Sequence, residues 1–289
     1  METATIMGKH RRITDDLLKG AIYLSSFLAV GLLAGIILYV FYRGIRTVTP
    51  HFLLSVQSPS KGNMGIAGNI VNTLYIVVLT LLAATPVGIG GAIYLNEYAK
   101  PGKFVSLVEF TIETLTGIPS IIFGLFGNVF FGEVLGLGYS MLTGALTLTI
   151  MVLPLIARNT QEALRTVPDS YRSGALGIGA TKWYMIRTIL LPSAMPGIIT
   201  GVILAIGRIV GESAALLFTA GSGFYLPKMG MGLFKKIFES GGTMTIELYL
   251  QMAKGKYDVA FGIACVLLVL VLIMNLLTKY LAGKYNRIK

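Results

Sequence analysis

Along this chain, long apolar runs alternate with short polar segments. Six runs carry about the 20 mostly apolar residues that a helix needs to cross a bilayer. They cover residues 17–42, 66–94, 110–131, 139–156, 194–219 and 259–281. The first follows Lys9, Arg11 and Arg12, as a secretory leader would, but its apolar stretch is too long and no small-residue cleavage site follows. It reads as an uncleaved first helix. No internal repeat and no segment with the look of a soluble catalytic domain interrupts the pattern. Residues 1–289 therefore read as one all-α transmembrane domain of about six helices, with a core over 66–281.

Composition agrees with the pattern. Apolar residues make up 54% of the chain, charged residues 13%, and the mean hydropathy is +0.75, a balance foreign to a soluble domain with a charged surface. The net charge of +11 would suit nucleic acid, but the cations sit between apolar runs and form no stripe on a soluble fold. Their placement sets an orientation instead. With a cytoplasmic N-terminus, 15 of the 24 Lys and Arg residues fall inside, from Lys9 to Lys289. Eight fall outside: Arg43, Arg46, Lys61, Lys228, Lys235, Lys236, Lys254 and Lys256. The excess predicts both termini inside the cell membrane.

Other chemistry is sparse. Cys265 is the single cysteine and lies in the last apolar run, so it reads as a packed thiol with no disulfide or thiolate metal site open to it. His10 and His51 lie outside the runs without a second ligand nearby and read as surface residues. No metal is expected. The Gly88-Ile89-Gly90-Gly91 stretch lacks the strand, Lys and Ser/Thr setting of a phosphate loop. The chain is not expected to be an enzyme, to hydrolyse ATP or to bind a cofactor.

Between the fourth and fifth runs lies a basic, glycine-punctuated segment, 159–192. Helix formers run to Val167, Pro168 breaks or restarts the helix, and Gly179 permits a turn before a second amphipathic helix over 181–191. Leu176, Ile178, Trp183, Ile186 and Ile189 would pack on the bundle or face a partner. Gly179, nine residues, then Ile189-Leu190-Leu191-Pro192 resembles the EAA loop of the membrane subunits of ATP-binding-cassette importers. The Glu-Ala-Ala triplet of that pattern is here Ser173-Gly174-Ala175. The resemblance implies that a short helix docks in a groove of a separate ATPase and moves the bundle, with Ser173, Gly174, Ala175, Gly179, Ile189, Leu191 and Pro192 as the coupling residues.

Within the fifth run stand two charges, Arg208 and Glu212. A charge at mid-bilayer costs on the order of 2.5–3.5 kcal/mol even on lenient scales, so such residues face protein or water. Their spacing predicts one helix face and an ion pair. Ala194, Gly197, Gly201 and Ala205 fall in the same arc and predict close helix contact. The pair reads either as a lock between helices or as a pathway site, in which Arg208 offers a fork to an anion and Glu212 limits how tightly it is held. Earlier, Thr116-Gly117-Ile118-Pro119-Ser120 is expected to interrupt the third run, and Ser120 is a further pathway candidate. Glu109 and Glu113 read as interfacial or bundle-facing charges near Lys103.

The stretch from Ala205 to Thr219, together with Ala92–Ala99 and Thr116–Phe126, resembles the phosphate-importer permeases of the PstA type. That resemblance implies a type I, MetI-like permease fold with a cytoplasmic coupling helix. It also implies a second, PstC-like permease, two PstB-like ATPases that use ATP and Mg²⁺, and a PstS-like extracytoplasmic binding protein. The cargo would be phosphate. The EAA-type loop specifies coupling and not cargo, so a sulfate or molybdate permease would carry it too. An ion-gradient-driven transporter, with Glu212 as proton site, would leave Gly179 to Pro192 unexplained.

Overall fold

The computed structural model describes residues 13–58, 63–226 and 235–287. Of the side chains named above, Lys9, His10, Arg11, Arg12, Lys61, Lys228 and Lys289 lie outside the described residues. The fold is an α-helical bundle with one small hairpin. Among the described residues five helices are individually long and apolar enough to span a membrane, and a bent pair brings the number to six if it counts as one span.

The first span, α1 (Ile13–Gly44), touches the rest of the chain near its C-terminal end. There Gly44 meets the backbone of Phe261, the ring of Tyr39 stands edge-on to that of Phe261 at 5.6 Å, and the buried Cys265 thiol donates to the Val40 carbonyl at 3.2 Å. A short helix α2 (Pro50–Leu54) and a hairpin of β1 (Val56–Ser58) and β2 (Asn63–Ile66) follow, a strand pair that the apolar pattern does not anticipate. His51 is exposed on α2.

Next, α3 (Ala67–Ile93) runs on through a π turn, Tyr94–Tyr98. It packs against α6 (Met141–Arg165), with Gly88 letting the backbone close on Ile156. Lipid is as apolar as leucine, so small residues and shape, and not transfer from water, bring such helices together. The same logic joins α6 to α9 (Leu191–Gly211). A methyl added to Gly197 would stand 2.5 Å from Ala163 Cβ, and one on Gly201 would stand 2.7 Å from Asn159 Cβ. The arc of small residues on α9 is thus a helix contact, as its spacing predicts. Ile76, Leu148, Val152, Ile156, Ile206 and Ile209 fill the core between these three helices.

Two of the apolar runs depart from continuous spans. The run 110–131 divides into α4 (Lys103–Gly117) and α5 (Ser120–Gly127), the latter extended by a π turn, Asn128–Val134. The axes differ by 104°. Pro119 forces Ile118 into an extended conformation and starts the next helix itself. The charges on α4 face α6, Glu109 pairing with Arg165 at 2.9 Å and Glu113 with Arg158 at 2.8 Å. Past the bend, Gly127 sits on Thr147 of α6. The two halves together carry the chain along α6. The run 194–219 also breaks, into α9 and α10 (Ala214–Thr219). After it come α11 (Met244–Ala253) and the last span, α12 (Tyr257–Arg287).

Candidate functional site

The segment after α6 forms α7 (Asp169–Gly177) and α8 (Lys182–Met185). Pro168 has no N–H to offer α6 and caps α7 as its first extended residue. At the other end of α7, Ala180 N–H reaches Ala175 O at 3.0 Å and Gly179 N–H reaches Leu176 O at 3.0 Å. Those two bonds define a Schellman stop, whose left-handed residue is Gly179 with φ +85°. Thr181 then caps α8 by accepting from Tyr184 N. The turn that a glycine at 179 favours is present.

The second helix differs from its expected form. No separate amphipathic helix covers 181–191. Instead α8 passes through a π turn, Ile186–Leu190, straight into α9, giving one helix from Lys182 to Gly211. Pro192 explains the widened turn, since its ring would clash with the carbonyl four residues back in a regular helix.

The loop's apolar residues divide cleanly. Ala175, Met185, Ile186 and Leu190 are buried in a cluster with Ala163, Leu164 and Val167, and Ile189 and Leu191 pack on it. Tyr171, Leu176, Trp183 and Tyr184 are about half exposed and Ile178 is 87% exposed, so apolar side chains stand open on both sides of the Gly179 turn. Of the expected coupling residues, Ser173, Gly174 and Gly179 lie on the open side. Ala175, Ile189 and Leu191 hold the loop to the bundle, and Pro192 is half-buried beside them in the chain. Tyr171 and Tyr184 join the exposed tip, although no motif spacing marks them.

Arg208 and Glu212 do not form the expected pair. The helix ends at Gly211, and Glu212 is extended, with φ −81° and ψ 123°. Its carboxylate turns to the next helix, where Oε1 accepts from Ala215 N at 3.1 Å and caps α10. Its carbonyl accepts from Thr245 Oγ1 at 2.9 Å. A glutamate ahead of free N–H groups competes for them, and the glycine before it lowers the cost of stopping the helix. Arg208 is left exposed on the last turn of α9, with no ion pair or hydrogen bond among the described residues. Ser120 opens α5 immediately after the other break. One turn later Gly124 lies against the backbone of Ala215, so the structure brings the two helix breaks together.

A polar clamp at the opposite end of the bundle has no counterpart among the motifs of the sequence. Asn69 Nδ2 donates to Gly242 O at 3.0 Å, and Asn72 Nδ2 donates to Gly223 O at 3.0 Å and Gly242 O at 3.2 Å. Met244 N donates to Thr73 Oγ1 at 3.0 Å. These bonds pin the segment after α10 onto α3. Two asparagines within an apolar run are the signal that could have found it.

The chain matches the binding-protein-dependent transport system inner membrane component family over residues 84–287. It is 34% identical over 284 residues to the probable ABC transporter permease protein YqgI of Bacillus subtilis, covering 94% of this chain and 96% of that protein. It is 31% identical to the phosphate transport system permease protein PstA of Mycobacterium leprae, covering 92% and 88%. Among solved structures, a bacterial alginate ABC transporter aligns with TM-score 0.68 at 18% identity over 95% of this chain and 96% of that one. The MetNI methionine ABC transporter aligns with TM-score 0.53 at 20% identity over 77% and 93%. The fold is thus that of MetI-like importer permeases, and the chain belongs to the family of membrane-spanning permease subunits of binding-protein-dependent ABC importers.

Proposed function

We propose that this permease forms half of the translocation pathway of an ATP-driven phosphate importer. Arg208 is the observation that carries the cargo. An unpaired guanidinium beside a break in a membrane helix is too costly to leave in lipid, so its exposed side faces a water-lined route shared with a second permease subunit. A fork of N–H donors held open in this way suits a tetrahedral oxyanion. The relatives named as phosphate permeases support the same assignment.

In this reading the loop 159–192 lies on the cytoplasmic face, as do both termini. The exposed tip around Ile178 docks into one of two PstB-like ATPase subunits, which consume ATP and Mg²⁺. The second permease is PstC-like, and a PstS-like protein delivers phosphate from outside. The complex is reconstituted in vesicles and uptake of labelled phosphate is compared with that of labelled sulfate. Phosphate is expected to be taken up preferentially, and Arg208→Gln to abolish uptake while the subunits still co-purify. Preferred sulfate uptake, or an Arg208→Gln complex that imports phosphate normally, overturns the reading.

A further inference from the structure

We infer that Glu97 and Arg172 form the joint through which α7 moves α3, and that α3 passes the movement to the segment pinned at Gly223 and Gly242. The inference rests on α7 being the ATPase contact.

Arg172 projects from α7 and Glu97 from the π turn that ends α3. Arg172 Nη2 lies 2.9 Å from Glu97 Oε1, and Nε lies 3.2 Å from Oε1 and 3.5 Å from Oε2. Side-chain exposure is 19% for Arg172 and 5% for Glu97, unlike the open pairs between α4 and α6. The remaining donors are occupied as well. Nη2 reaches Leu164 O at 2.9 Å, and Nη1 reaches Val167 O at 2.8 Å and Asp169 Oδ1 at 3.1 Å. All five guanidinium N–H groups therefore have acceptors, which a lysine could not reproduce. Asn96 Nδ2 donates to Glu97 Oε1 at 2.7 Å and fixes the carboxylate.

The grip is double. On the other side of the Gly179 turn, Lys182 Nζ sits 4.9 Å above the ring centroid of Tyr98. The end of α3 thus holds the loop both before and after its tip. From there α3 and its π turn run 32 residues, about 48 Å at helical rise. At the far end Asn69 and Asn72 hold the backbone of Gly223 and Gly242. One helix joins the docking tip to a loop on the opposite face.

The test uses the complete complex with Cys265→Ala and one reporter, Ser222→Cys, on the exposed loop beside Gly223. Its labelling by a membrane-impermeant maleimide is measured without nucleotide and after trapping with ATP and vanadate, a readout independent of the cargo. With Glu97 and Arg172 intact, the rate is expected to differ about fivefold or more between the two states, the low end of a coupling between sites. Glu97→Gln and Arg172→Gln should each erase the difference, the double variant should do no more, and the ATPase subunits should still co-purify. A difference that persists in both single variants, or one absent with the joint intact, overturns the inference and leaves docking in place. Docking is tested separately by Ile178→Asp. ATPase co-purification and stimulated hydrolysis unchanged by that substitution would overturn the docking reading and the joint with it.

Discussion

The left-handed residue at the tip of the loop gives the sharpest test of coupling. A Cβ on Gly179 would meet no heavy atom within 4 Å, so substitution there acts through backbone conformation alone. At φ +85° an L-residue loses roughly 1–2 kcal/mol, and a β-branched one lies at or above the top of that range. Asn tolerates this region and should lose least. In a complex whose docking needs the Schellman stop, about 1.4 kcal/mol removes tenfold of the competent population. Gly179→Asn should couple nearly as the parent does, Gly179→Ala less well, and Gly179→Val at roughly a tenth or below. The measurement is labelled phosphate imported per ATP hydrolysed in vesicles, with the melting temperature of the purified complex as control. The loop tip is solvent-exposed, so little change in melting is expected. Normal coupling by Gly179→Val, or equal damage from Asn and Val, would refute the conformational reasoning.

Other consequences concern the packing of the bundle. Asn72→Leu removes both hydrogen bonds from Asn72, while Gly223 O still accepts from Gly242 N and Gly242 O from Asn69 Nδ2, so the cost is that of the lost bonds, about 0.5–1.5 kcal/mol each. It should lower the melting temperature and admit protease to the backbone around Gly223 and Gly242. Gly201→Leu would drive a side chain into Asn159 and should separate α9 from α6, seen as loss of folded protein in detergent. Lys236 is buried, and burial pushes its ammonium below the usual 10.5 although Glu239 opposes the shift. The unfolded chain then holds more protons between the lowered value and 10.5, so stability should rise with pH across that window. Lys236→Met should flatten the rise.

Much of this architecture is legible in the sequence because lipid imposes it. Length and hydropathy locate the runs, Pro119 announces the break before Ser120, and the Gly179 spacing locates a turn that only glycine favours. Three features are not legible, each for its own physical reason. Residues 208 and 212 share a face only while the helix lasts, and Gly211 with the Glu212 cap ends it. A separate helix over 181–191 follows from taking Pro192 as a boundary, whereas a π turn absorbs it. Arg172 and Glu97, 75 positions apart in the chain, carry no local signal of their pairing.

The altered role of Glu212 changes what Arg208 can do. In an ion pair on one helix face, the carboxylate would neutralise the guanidinium and an arriving anion would have to displace it. As a cap, Glu212 commits one carboxylate oxygen to Ala215 N and is fixed in position by Thr245 at its carbonyl. On the proposed pathway its charge, four residues on from Arg208 in the chain, would weaken an anion's hold without occupying the fork. In the proposed pathway the arginine starts without a partner among the described residues and a bound anion would meet that negative charge, so capture and release would both be served. Glu212→Gln tests the balance. An uncharged amide can still accept from Ala215 N, so the helix break should survive, while the repulsion on a bound anion is lost. Phosphate should then be held more tightly and released more slowly, seen as a lower KM together with a lower maximal uptake rate. An unchanged KM with reduced uptake would instead assign Glu212 to the helix break alone.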